Sequence, residues 1–369
     1  MNRRTIRAAV TRAVGSPWAI EEVDLAEPHD DEVLVRMVGS GICHTDLSCR
    51  SGVLPAPMPI VLGHEGSGVV ERVGAKVTRV KQGDHVVLSF DSCGQCRNCR
   101  HDSPATCFEF VPRNFSGRRM DGTTPIQQNG DVVHAVFFSQ SSFATHAIAR
   151  EANTVVVDAD LPLELLGPLG CGVQTGAGAV ANSLGLKAGD SLAIFGGGGV
   201  GLSALLAARA LDGGTVIVVE PNENRAAVAK ELGATHVINP SETKDVLEEI
   251  KRLGGGGVNF AFDTTGIPSV VGIAVEALLP GGVLGMVGAA PPEAMLPANM
   301  MSMLFRGITA KYIIEGDSNP QTFIPTMLGW YRAGKFPFDK LIGKFPFESI
   351  NEAAHAAESG AVIKPVLIF

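Results

Sequence analysis

The chain has 369 residues, of which 30 are Lys or Arg and 38 are Asp or Glu, giving a formal net charge of −8. That acidic balance excludes a surface built to hold nucleic acid by surplus basic charge. A composition of 45% hydrophobic and 18% charged residues excludes bulk disorder, and 44 glycines without a period of three serve turns and close backbone approaches rather than a collagen helix.

The first residues are basic, but no apolar stretch follows and Glu21 and Glu22 come soon after, so no secretory leader is expected. Short alternating runs at 33–38 and 68–73, punctuated by turn residues, predict a β-rich region over the first ~170 residues. That region holds all seven cysteines: 43, 49, 93, 96, 99, 107 and 171. An odd count in a long chain argues against a disulfide framework and for thiolates used as metal ligands, with the cytoplasm as the default location.

Cys93, Cys96, Cys99 and Cys107 form C-x2-C-x2-C-x7-C. Four thiolates at such spacing satisfy tetrahedral zinc with no open position, which makes a structural site. Four unrelated thiols, a disulfide pair or an iron–sulfur cluster are the alternatives. Only Arg97, Arg100 and His101 are basic nearby, which weighs against a nucleic-acid-binding zinc ribbon. Cys43, His64 with Glu65, and Cys171 lie far apart in Gly-flanked segments, GICHTD, GHEGSG and GCGVQTG. Two thiolates and one imidazole would leave zinc one position for water or substrate. Spacing alone does not gather them: singly, His64 reads as a hydrogen-bonded core histidine and Cys171 as a small buried hydrophobe.

After Cys171 the texture changes. Residues 192–195 predict a strand, followed by a Gly-rich turn and a helix to about residue 210. Residues 191–208 carry no charge and reach the ~18 residues of a membrane span, but strand, turn and helix account for them better, and no membrane association is expected. Residues 215–219 predict a second strand, 222–232 a helix stopped by Gly233, and 236–239, 259–263 and 283–287 further strands. Strands alternating with helices imply a doubly wound parallel sheet. The last ~60 residues are less periodic; GKFPF occurs twice there, too short to make a repeat.

The turn at Gly196–Gly201 fits G-x-G-x-x-G after a strand and before a helix. Gly196 would make the tight turn, Gly198 would let the backbone approach a pyrophosphate, and Gly201 would allow close helix packing, with Gly199 and Val200 at the helix start. Glu220 ends the next strand; its carboxylate suits ribose hydroxyls and repels a 2′-phosphate, which favours NAD over NADP. Arg225 tempers that preference, since it could sit near a 2′-phosphate.

Together these segments, in order GICHTD, GHEGSGVVERVG, GDHVV, the cysteine cluster, LGCGVQTGAGAV, GGGGVG and Lys364-Pro, resemble the zinc-dependent medium-chain alcohol dehydrogenases over nearly the whole length. Within that family the chain is most similar to aryl-alcohol (benzyl alcohol) dehydrogenases, through CHTDLSCR, FFSQSSFATHA and LPLELLGPLGCGVQTGAG. The resemblance implies an α/β protein. A GroES-like β-rich catalytic domain would span 1–171 and 309–369, and a Rossmann NAD-binding domain 172–308. It implies two zinc ions per subunit, one held by Cys43, His64 and Cys171 with Glu65 able to approach it, the other by the cysteine cluster. Asp46 would orient the histidine and Thr45 would pass on the alcohol proton. Many relatives end that relay with a histidine where this chain has Ser48, which cannot act as a base near neutral pH, so the proton would leave through ribose hydroxyls or His44. The resemblance also places His44 and Lys364 near the pyrophosphate, Arg225 near the ribose, and Val200, Asp263, Thr264, Thr265, Val287, Gly288 and Ala289 near the cofactor. Phe90, Phe138 and Phe143 are candidates to line the alcohol pocket, and Cys49 is an ordinary thiol. The expected reaction is oxidation of primary benzyl-type alcohols to aldehydes by NAD. A geraniol-type allylic alcohol, a glutathione–formaldehyde adduct, and a non-enzymatic cofactor-binding relative are the alternatives. A homodimer or homotetramer is expected.

Overall fold

The computed structural model describes residues 3–291 and 293–369; Met1 and Asn2, at the start of the expected catalytic domain, lie outside it. The chain divides into two compact units. The first comprises Met1–Gly172, Asn319–Pro325 and Ile342–Phe369, and the second Val173–Ser318 and Thr326–Leu341.

The first unit is built from two sheets. In one, Arg3–Thr11 lies between Ile60–Val61 and Ala19–Ala26, with Ile126–Gln128 and Asp131–Val133 following. In the other, the order is Thr154–Val157, His85–Leu88, Gly66–Val73, Glu32–Gly41, Lys364–Ile368 and Ile342–Pro346, with His146–Arg150 also paired to Glu32–Gly41. Val33, Leu34, Val35 and Met37 of this central strand are all buried, so its β-branched and long apolar residues meet packed side chains on both faces. Each such side chain contributes about 1.5–3 kcal/mol relative to exposure. The pairing of Leu367 with Ser40 and Val366 with Gly41 brings Lys364 beside the loop that leaves the central strand, and Cys43 sits on that loop.

The second unit is a parallel sheet in the order His236–Ile238, Val216–Val219, Leu192–Phe195, Val258–Asp263, Leu278–Met286 and Thr309–Tyr312. Leu192–Phe195 and Val216–Val219 are buried along their whole length, as strands covered on both faces must be. The expected helix at 222–232 spans Glu223–Glu231: Asn222 is its N-cap, accepting from the Arg225 amide, and Leu232 its C-cap. The strand expected at 283–287 begins earlier, at Leu278, and runs through Pro280 and Gly281 with a register shift between Val258 and Phe260. The expected return to the catalytic domain at residue 309 differs from the observed division. Thr309–Tyr312 pairs in parallel with Leu278–Met286, so the second unit continues to Ser318 and takes up Thr326–Leu341 as well.

Candidate metal centre and dinucleotide site

Cys43 is the N-cap of the helix His44–Ser51, so its side chain stands at the helix mouth. Its amide donates to Asp46 Oδ2 at 3.0 Å. The other oxygen of the fully buried Asp46 accepts from the Gly63 amide and from His64 Nδ1, both at 3.0 Å. A carboxylate can only accept, so Nδ1 carries the proton and the lone pair of Nε2 faces away from Asp46. Nε2 is buried with no hydrogen-bond partner. The ligand atoms of Cys43, His64 and Cys171 lie within 4.8 Å of one another. An orphaned imidazole nitrogen among two thiols is a donor set that zinc fits, with one position left open.

The electrostatics agree. The Cys171 thiol, hydrogen-bonded to Cys43, pulls the Cys43 thiol well below its ordinary range; burial opposes this, and Lys364 and His64 add to it. Burial opposes charging of His64, but Asp46 and then Cys43 more than offset it and hold the imidazole well above its ordinary value. A metal ion arriving there must therefore displace a proton.

Glu65 follows directly but is not among the three gathered ligands. Its carboxylate is fully buried, receives Lys364 Nζ at 2.8 and 3.0 Å, and accepts from the Gly172 amide at 3.0 Å. Burial raises its pKa, with Lys364 countering. Gly41 makes room for it: a Cβ there would lie 2.0 Å from Glu65 Oε2. Lys364, expected at a pyrophosphate, is buried and also donates to the Ile42 carbonyl, so its ammonium is engaged by this pair. Thr45 Oγ1 lies 3.9 Å from Cys43 Sγ, Ser48 is buried, and His44 is exposed on the same helical turn.

Aromatic rings wall the histidine. Phe138 stacks on the imidazole at 4.5 Å and 27°, and Phe137 meets it edge-on at 5.4 Å. Phe115 packs on both rings, and Phe110 on Phe138. Next to Phe115 opens an apolar cavity of about 640 Å³, lined by Leu54, Pro55, Ala56, Pro57, Pro112 and others, with no charged side chain in its wall. Of the three expected pocket phenylalanines only Phe138 touches the histidine; Phe90 packs on Phe110, and Phe143 is core against Trp18. Phe137, Phe110 and Phe115 were not singled out from sequence, although FFSQSSF and FEFVPRNF both carry an aromatic signal.

The second cysteine group is closed. Cys93, Cys96, Cys99 and Cys107 place their sulfurs within 4.8 Å of one another. The amides of Cys96 and Gln95 donate to Cys93 Sγ, and those of Cys93 and Glu109 to Cys107 Sγ, at 3.2–3.4 Å. Amides aimed at sulfur stabilise thiolates, which fits four-coordinate zinc.

In the second unit, the Gly-rich turn leaves the C-terminal end of Leu192–Phe195 and opens the helix Gly199–Ala210, with Gly198 as N-cap. Gly196 has φ +98°, and a Cβ at Gly201 would lie 1.9 Å from the Gly196 carbonyl oxygen, so both glycines are required by the turn. A Cβ at Gly198 would meet nothing within 4 Å, which leaves space over the helix N-terminus for a phosphate. Glu220 is buried; its carboxylate accepts from the Gly197 amide at 2.5 Å and the Asn222 amide at 2.8 Å. Arg225 is partly buried, and its Nε has no partner. Thr264 donates to the Phe195 carbonyl, Thr265 to Asp263, and the Val287 amide to the Asp263 carbonyl, so these segments and the turn with Val200 share one end of the sheet. Dinucleotides bind open parallel sheets at that end.

Residues 199–331 match the family model for zinc-binding dehydrogenases, and residues 29–159 that for the alcohol dehydrogenase GroES-like domain. The chain is 56% identical to a geraniol dehydrogenase of Castellaniella defragrans, over 98% of this chain and 97% of that one. Among solved structures it is similar to an alcohol dehydrogenase zinc-binding domain protein from Burkholderia ambifaria (TM-score 0.98, 47% identity, 100% of both chains). It is also similar to the benzyl alcohol dehydrogenase of Acinetobacter calcoaceticus (TM-score 0.96, 45% identity, 99% of both chains).

Proposed function

This chain belongs to the zinc-dependent medium-chain alcohol dehydrogenases, and we propose that within the family it is an NAD-dependent dehydrogenase of primary benzyl-type alcohols. The observation that carries the reading is the buried, partnerless Nε2 of His64 beside Cys43 and Cys171, walled by Phe137 and Phe138. When bound, zinc supplies Lewis acidity toward the alcohol oxygen and NAD the hydride acceptor. Asp46 fixes the tautomer and direction of His64. The phenylalanine wall and the apolar cavity favour a substrate whose carbinol carbon carries a flat, conjugated group. Thr45 relays the hydroxyl proton, its own hydroxyl giving up one proton as it accepts the alcohol's. Ser48 cannot hold it at neutral pH, so it leaves through the exposed His44 or the cofactor's ribose hydroxyls.

The cysteine cluster holds a second, structural zinc. The dinucleotide takes the Gly196–Gly201 turn and helix N-terminus, with Val200, Thr265 and Val287 as packing neighbours. Glu220 favours NAD because its carboxylate would repel a 2′-phosphate. Arg225 stands beside the ribose, and Lys364 acts through Glu65. A geraniol-type allylic alcohol is the second reading, favoured by the 56% identical geraniol dehydrogenase. A charged glutathione adduct has no counter-charge in the cavity wall.

Absorbance at 340 nm with zinc-replete protein tests this, using benzyl alcohol, geraniol and hydroxymethylglutathione with NAD and then NADP. Benzyl alcohol with NAD should give the highest kcat/KM; a clear preference for geraniol replaces the substrate assignment and leaves the mechanism. Cys43→Ser should abolish turnover yet still bind NADH, and full activity in that variant would remove the metal centre from the mechanism. His44→Gln should alter the pH profile of kcat; an unchanged profile assigns the proton to the ribose route.

A further inference from the structure

The segment that stacks on His64 is held in a costly backbone conformation. Phe138, Ser139 and Ser141 have φ of +50°, +50° and +49°, a region that side chains with a Cβ rarely occupy. All three are buried, so solvent does not relieve them. Strain of this kind persists only where the surroundings over-determine it, and here those surroundings can be named.

Asn153 is fully buried. Its Nδ2 donates to the carbonyl oxygens of Phe138 at 3.2 Å, Ser139 at 3.3 Å and Ser89 at 3.0 Å. Its Oδ1 accepts from the Arg150 amide at 2.9 Å, which fixes which end of the amide faces the strained carbonyls. Gln140 completes the frame, donating to the His64 and Ser89 carbonyls and accepting from the Gly66 amide, each at 3.0 Å. Ser89 Oγ donates to the Gly170 carbonyl, one residue before Cys171. The frame thus reaches the backbone at His64 and next to Cys171, and it sets the ring of Phe138 against the imidazole.

Two constraints therefore meet at His64. Asp46 fixes the direction of the ring within its plane. The face of Phe138 fixes its tilt, at 4.5 Å and 27°. We propose that Asn153 is a positioning residue for the metal-binding histidine: it anchors the left-handed Phe138–Ser139 backbone and so sets the tilt of His64 toward the metal. It touches neither metal nor substrate. This rests on the reading that Cys43, His64 and Cys171 hold zinc.

Asn153→Ser, which is too short to span the same carbonyls, tests the proposal. Metal analysis of the wild type comes first. Two metals per chain support the reading; one metal, in the cysteine cluster alone, overturns the reading and the inference with it. Cobalt is then substituted for zinc, since its visible bands report ligand geometry. In Asn153→Ser these bands should shift, kcat should fall at least fivefold, and the KM for NAD should stay within twofold. Adding Ser139→Gly should recover at least half of the lost kcat, because glycine adopts φ +50° without a Cβ penalty. Two metals with unchanged bands and kcat, even with a lowered Tm, overturn the inference alone. So does a shift that Ser139→Gly leaves unrescued. Should Asn153→Ser fail to fold, Phe138→Leu carries the test: unchanged bands there also overturn it.

Discussion

Cys49 belongs to neither cysteine group, although it lies on the same helix as Asp46. It is fully buried, and burial, with the nearby Asp46 and Cys43, pushes its thiol up to about 12. A folded-state pKa above the unfolded one means the neutral thiol stabilises the fold fully below about pH 8.5, and that contribution is lost as pH rises toward 12. Since the thiol belongs to neither cysteine group, Cys49→Ala should leave the metal content of the chain unchanged. It should cost about 1 kcal/mol at pH 7, as the loss of a small buried group does, and the stability gap should narrow above pH 9. Urea denaturation at pH 7 and pH 10 reads both; a gap that widens with pH contradicts the assignment. At this scale the sequence shows what rare chemistry shows. Cys43, His64 and Cys171 are legible because few other roles suit those side chains in those motifs. Asn153, Gln140 and Phe137 are not, because amides and rings serve anywhere and only three-dimensional proximity gives them a task. Lys364 reads in the sequence as a pyrophosphate neighbour and not as Glu65's partner, since a buried carboxylate takes its counter-charge from wherever the fold brings one.

The segment from Cys93 to Cys107 has little core of its own. The helix Arg97–Arg100 contains no buried residue, and Phe108 is 71% exposed. Its order therefore depends on the four thiolates and on Asp91, which receives Arg113 and Arg150 at its base. Cys99→Ser should lower zinc content by one ion per chain and raise protease cleavage of this segment about tenfold or more, an opening made easier by about 1.4 kcal/mol. Unchanged cleavage with one zinc lost would mean that the metal does not hold the segment. Elements with strong local signals were readable in the same way. Leu192–Phe195, Val216–Val219 and the helix capped by Asn222 follow from an apolar run or a cap that acts within a few residues. The start of Leu278–Met286 is hidden because Pro280 and Gly281 read as a break; Leu278 pairs with Val258, and the ladder resumes at Val283 after a register shift.

The nucleotide unit ends its sheet at Thr309–Tyr312, beside a helix that leaves Met300 85%, Leu304 69% and Phe305 81% exposed. An open strand edge next to large apolar side chains is a surface that a second copy of the chain would cover. Sedimentation should show a homodimer or a homotetramer, and Phe305→Glu combined with Tyr312→Glu should shift it toward monomer; a monomeric wild type at micromolar concentration would refute this. The expected return at residue 309 differs from the division at Ser318 because which sheet an edge strand joins is decided by pairing rather than by local pattern. The last strand of the first unit has a different consequence. Glu65 is paired with a lysine 299 residues further on, and the whole of the second unit is made in between. At the usual 5–20 residues per second on the ribosome, the carboxylate waits about 15–60 s for its partner. Throughout synthesis of the nucleotide unit, the loop carrying Cys43 lacks the strand that closes over it, and the metal centre is among the last features of the molecule to mature.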